Sequence, residues 1–157
     1  MELWAITDRS RREVMEFLAR QWGSDVMVSG GRSIRLTGLD GFAAVEDGTV
    51  TGAVTFLVEG EECEVVSLDS VNENRGTGSA LLSAAVSAAK GKGCHMVYLY
   101  TTNDNARAMR FYQKRGFDMA AFFRGAVERA RKIKPEILLT GEDGIPIRHE
   151  IRFERLL

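Results

Sequence analysis

The chain is poor in the residues that build metal sites and disulfide frameworks. Its 157 residues contain two cysteines, two histidines and two prolines. Cys63 and Cys94 form no CxxC pair, and the histidines are far apart in the sequence, so we expect no zinc or other metal site. Both cysteines are expected to be reduced and packed in the sheet of a cytoplasmic protein.

Long apolar runs and an excess of one charge sign are missing as well. No apolar run reaches the roughly 18 residues that a membrane span requires. Charged residues crowd the first twenty positions, so no signal peptide is predicted. The 21 basic and 22 acidic residues leave a net charge of −1. A net charge this close to zero gives no overall electrostatic attraction for nucleic acid or an anionic membrane, so neither is predicted as a partner.

What is present is a succession of strand-like and helix-like patterns that predicts one domain over residues 1–157. No repeat and no proline-rich or serine-rich linker divides the chain, and this length supports a single core. We expect Trp4 and Trp22 in that core, and irregular structure at 23–40 and 134–146. The predicted elements are a strand at 3–6, a helix from Asp8 or Ser10 to about Trp22, strands at 42–46, 49–59 and 62–71, a helix to about Lys90, a strand at 96–100, a helix at 103–115, a strand at 117–123, a helix at 127–133 and a strand at 147–157.

The order of these elements indicates the fold class. Asp47-Gly48 predicts a tight hairpin because both residues tolerate positive φ, and Gly60 turns the chain again, which makes the early strands an antiparallel meander. The later pattern changes to strand, helix, strand, helix. This combination predicts an α+β domain around one mixed sheet.

A glycine-containing loop joins the strand at 62–71 to the following helix. Its sequence is Glu73-Asn74-Arg75-Gly76-Thr77-Gly78-Ser79. Two glycines there let the backbone approach a ligand closely, and the amides at the start of the helix point at whatever is bound. The loop therefore predicts a phosphate-binding site.

Three glycine-rich phosphate loops compete for this stretch. No G-x-x-x-x-G-K-[ST] sequence is present, which excludes a P-loop. A dinucleotide fingerprint needs Gly or Ala three residues after Gly78, where Leu81 stands, and no full βαβ unit precedes the loop. The third is the loop of acetyltransferases, which cradles the pyrophosphate of coenzyme A. A tight strand-to-helix turn without a ligand is the structural alternative.

A second motif further along the chain favours the third possibility. It reads Asn105-x-x-Ala108-x-x-Phe111-Tyr112-x-Lys114-x-Gly116-Phe117. Together the two motifs resemble the GNAT superfamily of acyl-CoA N-acyltransferases, whose loop is usually [QR]-x-x-G-x-[GA]. Glu73 stands here where Gln or Arg is usual, and Arg75 supplies a positive charge from a neighbouring position.

The resemblance implies both an architecture and a cosubstrate. It implies a central, mostly antiparallel mixed sheet of six or seven strands with helices on both faces and a V-shaped splay between the fourth and fifth strands. It implies acetyl-CoA as cosubstrate and no metal. The implied contacts are backbone amides of Leu68, Asp69 and Ser70 for the pantetheine arm, amides of Arg75, Gly76, Thr77, Gly78 and Ser79 for the pyrophosphate, and further contacts from Asn105 and Tyr112.

Two side chains are candidates for acid–base catalysis. The phenol of Tyr112 has a reference pKa near 10, above the roughly 8.5 of a thiol, so it would donate a proton to the leaving sulfur. A core tyrosine packed beside Phe111 is the alternative. Glu64 is the candidate general base, because a carboxylate in a buried strand needs a task or a partner. A structural ion pair is its alternative, and Glu62 and Asp69 are weaker candidates.

The predicted function is transfer of an acetyl or other short acyl group from acetyl-CoA to a primary amine. No cysteine stands at an obvious nucleophile position, so direct attack in a ternary complex is expected. The acceptor is expected to be a small-molecule or peptide amine, and the last strand could pair across a homodimer. A non-catalytic acyl-CoA-binding regulatory module and a nucleotide-binding domain are the alternatives.

Overall fold

The structure, a computed structural model, describes residues 1–72 and 75–157. Within these residues, strands and helices alternate as β1 Glu2–Ala5, α1 Arg11–Trp22, β2 Val26–Ser29, β3 Arg32–Arg35, β4 Asp40–Glu46, β5 Thr49–Glu59, β6 Glu62–Ser70, α2 Thr77–Gly91, β7 Met96–Thr102, α3 Ala106–Lys114, β8 Asp118–Phe123, α4 Ala126–Ile133 and β9 Glu150–Leu156. Short 3₁₀ helices cover Leu36–Gly38 and Glu142–Gly144. No described helix is long and apolar enough to cross a membrane.

Seven of the described strands form a mixed sheet in the order β1-β4-β5-β6-β7-β9-β8, and β2 pairs with β3 separately. The predicted α+β class with a seven-stranded mixed sheet and flanking helices is confirmed. The chain forms two compact units. The first unit contains 1–27, 35–97 and 157, and the second contains 28–34 and 98–156. The single domain and the splay between strands stay predictions.

The first unit is built on the predicted antiparallel meander. Strand β4 pairs with β1 and β5, and β5 pairs with β6. Asp47 and Gly48 have φ of 49° and 75°, as the predicted hairpin turn requires. Helix α1 buries Val14, Phe17 and Leu18. Trp4 and Trp22 are 37% and 39% exposed, so their expected burial in the core is wrong.

A bulge in β6 changes which side chains share a face. Ser67 lies opposite Thr55 and Val65 lies opposite Phe56, so Val66 is an extra residue in β6. Strict alternation would place Glu64 with Leu68, opposite Ser67 and Asp69. That alternation is wrong, because the extra residue brings Glu64, Ser67 and Asp69 to the same face.

Helices α1 and α2 pack on opposite faces of β5 and β6. A Cβ added at Gly52, which lies opposite Ser70, would be 3.1 Å from side-chain atoms of Leu81 and Thr77 in α2. Asp69 lies on the other face and contacts Trp22 at the end of α1. The carboxyl end of β6 is therefore enclosed by one helix on each side.

The second unit pairs β8 with β9 and carries α3 and α4. Helix α3 ends as predicted, because Gly116 has a φ of 88° and the Phe117 amide donates to the Tyr112 carbonyl at 3.1 Å. The side chains of Phe117 and Phe153 are fully buried. These aromatic rings form the core of this unit beneath α3.

The interval 23–40, predicted to be irregular, contains the hairpin β2–β3. Gly30 and Gly31 connect the two strands with φ of 59° and 78°. Two consecutive positive φ values are typical of a two-residue hairpin turn, and Gly-Gly provides them without strain. The prediction was wrong here because each strand has only four residues, too few for a clear period-2 pattern.

Candidate active site

The predicted anion-binding segment lies where α2 begins. Gly76 has φ 78° and ψ 0°, and its carbonyl accepts the Ala80 amide at 2.9 Å. The N-cap residue Gly76 has no side chain to cap this helix, and the first turn carries no acidic residue. The positive end of the helix dipole therefore favours an anion at this end of α2. Glu73 and Asn74 of the same loop lie outside the described residues.

The start of α2 is packed tightly against the sheet. A Cβ at Gly52 would lie 2.9 Å from the Asp69 carbonyl oxygen, so only glycine fits there. Thr77 is 1% exposed, and its Oγ1 is buried without a hydrogen-bond partner in the part of the chain that the structure describes. This packing fixes the helix start against the sheet, and pyrophosphate binding at residues 75–79 stays a prediction.

The backbone amides near the end of β6 alternate in direction. The Val71 amide donates to the Thr51 carbonyl at 2.9 Å, and Gly52 lies opposite Ser70. Antiparallel alternation then directs the Leu68 and Ser70 amides away from β5, and the Asp69 amide toward β5. Leu68 and Ser70 are thus oriented as the predicted pantetheine contacts require, whereas a contact from Asp69 would need a group other than its amide.

Glu64, the predicted general base, is 1% exposed in the first unit. It lies opposite Leu57 on the face that also carries Ser67 and Asp69. The Ser67 hydroxyl hydrogen-bonds with Thr55 at 2.6 Å, so this face contains a buried polar row. The catalytic role of Glu64 stays a prediction.

Asp69 is a stronger acid–base feature than the sequence indicated. The indole N–H of Trp22 donates to its Oδ2 at 2.7 Å. Burial raises the pKa of Asp69 to about 6, and the Trp22 hydrogen bond opposes this increase. A group that titrates near neutral pH at the end of β6 suits proton transfer. No local signal in the sequence joins two residues that are 47 positions apart.

Neither cysteine resembles a nucleophile. Both thiols are free and buried. Burial, with smaller contributions from Cys94 and Glu64, raises the pKa of Cys63 to about 12, so its thiolate is scarce at neutral pH. The described residues also contain no group of three His, Cys, Asp or Glu side chains that could hold a metal ion.

The two predicted residues of the second motif lie in the second unit. Asn105 caps α3, because its Oδ1 accepts the Ala108 amide at 3.0 Å. The half-buried ring of Tyr112 packs on Phe111, Phe117 and Phe153 with centroids 5.2, 5.8 and 6.1 Å away. This packing fixes the ring, and it leaves the catalytic role of Tyr112 and the cofactor contact of Asn105 as predictions.

The residues of the candidate site lie within a stretch of the chain that matches a protein-family model. Residues 9–117 match the profile of "Acetyltransferase (GNAT) family", which spans the α2 loop and Tyr112. The chain is 45% identical over 149 residues to "Uncharacterized protein YdhI" of Bacillus subtilis, covering 94% of this chain and 93% of that protein. It is also 38% identical over 77 residues to a mycothiol acetyltransferase of Clavibacter michiganensis, covering 48% of this chain and 25% of that protein.

Solved structures show the same fold. An IAA acetyltransferase from Bacillus cereus superposes with a TM-score of 0.72 at 20% identity, covering 99% of this chain and all of that one. A GNAT family acetyltransferase from Elizabethkingia anophelis, solved with acetyl-CoA bound, gives 0.72 at 17% identity, covering 99% and 97%. At these identities the likeness extends to the fold alone.

Proposed function

Because the chain belongs to the GNAT acetyltransferase family, we propose that it transfers an acetyl or other short acyl group from acetyl-CoA to a primary amine. Family membership indicates acyltransferase activity. The proposal adds that the acceptor is a primary amine and that it attacks acetyl-CoA directly. The observation that carries the proposal is the start of α2, where the left-handed Gly76 and the positive end of the helix dipole favour an anionic ligand. The amides of Leu68 and Ser70, which point away from β5, suit the pantetheine arm of the same ligand.

The reaction requires three functions from the protein. The attacking amine must lose a proton, the carbonyl oxygen needs a hydrogen-bond donor as it becomes negative, and the leaving thiolate needs a proton. The amine nitrogen attacks the thioester carbon, the new C–N bond forms and the C–S bond breaks. The products are the N-acylated amine and coenzyme A, with the amine proton on the base and the acid's proton on sulfur.

Tyr112 is proposed as the acid in this scheme. The reference pKa of a tyrosine phenol exceeds that of a thiol, so a tyrosine can donate a proton to the departing sulfur. The ring contacts with Phe117 and Phe153 hold it in one orientation. A fixed donor avoids reorganisation during the reaction.

Two carboxylates are proposed for the base. The sequence favoured Glu64 and gave Asp69 as a weaker candidate, which lies two pleats further along the same face of β6. Asp69 is the better supported of the two, because its pKa of about 6 leaves it ionised at neutral pH while still close to the working range. Direct attack is supported by the raised pKa of Cys63, which makes a covalent cysteine intermediate unfavourable.

The test is to incubate the purified protein with acetyl-CoA and a panel of primary amines while recording thiol release and the mass of the acylated product. The proposal expects amine-dependent thiol release with one product of added acetyl mass. Binding of coenzyme A without release across the panel would favour the non-catalytic module. A thermal-shift comparison of coenzyme A, ATP and NAD separates both from a nucleotide-binding domain.

A further inference from the structure

Helix α1 ends with a tryptophan that reaches the end of β6. Val14 and Leu18 are buried on this helix at i, i+4 spacing, and Trp22 continues the same stripe one turn later. Gly23 then stops the helix, because its φ of 69° is left-handed and its amide donates to the Ala19 carbonyl at 2.8 Å. The indole is thus held in place by the packing of α1 and by its last turn.

The contact between this indole and β6 is a short hydrogen bond. The Nε1–H of Trp22 donates to Asp69 Oδ2 at 2.7 Å, at the short end of the range for an N–H bonded to a carboxylate. An indole is only a donor, so the bond is strongest when the carboxylate is ionised. In the part of the chain that the structure describes, it is the only side-chain hydrogen bond to Asp69. The second oxygen, Oδ1, is therefore the one that can take up a proton.

The surroundings of Asp69 are poor in charge. Ala53 lies opposite it on β5, and the two strands that neighbour β6 in the sheet, β5 and β7, carry no acidic or basic residue except Glu59 at the far end of β5. The charged residues on β6 and at the end of α1 are Glu62, Glu64, Arg20 and Asp25, the last of which pairs with Arg35 at 3.0 Å. Burial raises the pKa of Asp69 and the Trp22 bond lowers it, without a contribution from these charges.

We propose that Trp22 is a positioning residue for the candidate base: its indole N–H fixes Oδ2 of Asp69 and stabilises the ionised carboxylate, so that Oδ1 takes the proton of the amine. In this step an N–H bond of the amine breaks and an O–H bond forms at Oδ1, while the indole keeps its own proton. The role of Trp22 in turnover rests on the proposed function. The effect of its hydrogen bond on the carboxylate does not.

The direct test is an NMR titration that needs no substrate. In ¹³C-aspartate-labelled protein, the carboxyl resonance that is missing in Asp69→Asn should titrate with a midpoint of about 6 in wild type. Trp22→Phe keeps an aromatic ring and removes the N–H, so the midpoint should rise to about 7, as expected when a charge-assisted hydrogen bond is lost. A midpoint that stays the same or falls would overturn the proposal.

The wild-type indole provides a second measurement. Its Nε1–H proton resonance, assigned as the one missing in Trp22→Phe, should shift with the same midpoint of about 6 and should not respond in Asp69→Asn. Trp4 is the matched control, since it is similarly exposed and its Nε1–H donates to Glu2 at 3.0 Å. Trp4→Phe should leave the Asp69 midpoint at its wild-type value. A Trp22 resonance that does not follow the titration of Asp69 would contradict the proposal as well.

Turnover shows whether this effect reaches the reaction. In the acetyl-CoA assay, Trp22→Phe should lower kcat/KM about fivefold at pH 6 and leave it nearly unchanged at pH 8.5, because only the ionised fraction of the base decreases. A merely structural change would lower the rate at both pH values. In the Asp69→Asn background, Trp22→Phe should have no further effect, since the indole acts through that carboxylate.

These outcomes separate the role of Trp22 from the proposed function. An Asp69 midpoint that rises in Trp22→Phe, without any acyl transfer by the wild type, would reject the function and retain the effect of the indole on the carboxylate. Acyl transfer whose pH dependence is the same in wild type and Trp22→Phe would reject the positioning role and retain the function.

Discussion

At the residue scale, Tyr112 offers the sharpest test of the chemistry. Its ring is packed on Phe117 and Phe153, so Tyr112→Phe should preserve the fold and remove only the proton donor. We expect kcat to decrease at least about tenfold, with no change in the Kd for coenzyme A. Steady-state kinetics and calorimetry measure these quantities, with Tyr98→Phe as the matched control. An unchanged kcat would remove Tyr112 from the mechanism.

The choice between Asp69 and Glu64 is decided by pH profiles. Because the pKa of Asp69 is about 6, kcat/KM should rise with pH through about 6 and level off above it. Asp69→Asn should lower the rate and abolish this limb, whereas Glu64→Gln should keep it. If Glu64→Gln loses the limb and Asp69→Asn keeps it, the base is Glu64.

Asp69 also makes stability depend on pH. Its pKa is raised to about 6 in the folded chain from an ordinary value of 3.8, so folding disfavours the ionised form. Stability from this group is therefore fully present below about pH 4 and is lost as pH rises through 6. Asp69→Asn should melt at a higher temperature than wild type at pH 7.5, and the difference should vanish near pH 4. A difference that is independent of pH would contradict the raised pKa.

At the scale of elements, we expect a charge at the start of helix α2 to affect coenzyme A binding and a charge at its end to have no effect. Arg75 is exposed just before the helix, and Lys90 lies in its last turn. Arg75→Gln should raise the Kd for coenzyme A about two- to fivefold, because it removes a cation beside the predicted pyrophosphate site. Lys90→Gln removes the same charge from the other end and should leave the Kd unchanged. If calorimetry gives the same increase in Kd for both variants, the effect comes from net charge and not from a site at the start of α2.

The strands and helices that the sequence predicts well are those with long, uninterrupted patterns. Strand β5 and helix α2 agree closely with prediction, and Asp47-Gly48 forms the expected turn. The β6 bulge was not predictable, because an inserted Val66 leaves the apolar pattern of that strand intact. The β2–β3 hairpin is held by a glycine pair and by contacts far along the chain, such as Gly30 with Glu150.

At the scale of the whole molecule, the two sequence motifs identify the family and the predicted cofactor contacts. The contacts of backbone amides could be predicted from the sequence, because a strand followed by a glycine turn and a helix specifies where those amides lie. The hydrogen bonds between Trp22 and Asp69 and between Gly30 and Glu150 could not be predicted in this way. Each joins segments that come together only in the folded chain, and neither leaves a local pattern.

The measurement that tests the central claim most directly is an amide chemical-shift titration of ¹⁵N-labelled protein with coenzyme A. If the pyrophosphate binds at the start of α2, the largest shift changes should fall on Gly76, Thr77 and Gly78, and those of Lys90 and Gly91 at the other end should be small. Saturable binding that leaves the amides at the start of α2 unshifted while others move would contradict the account.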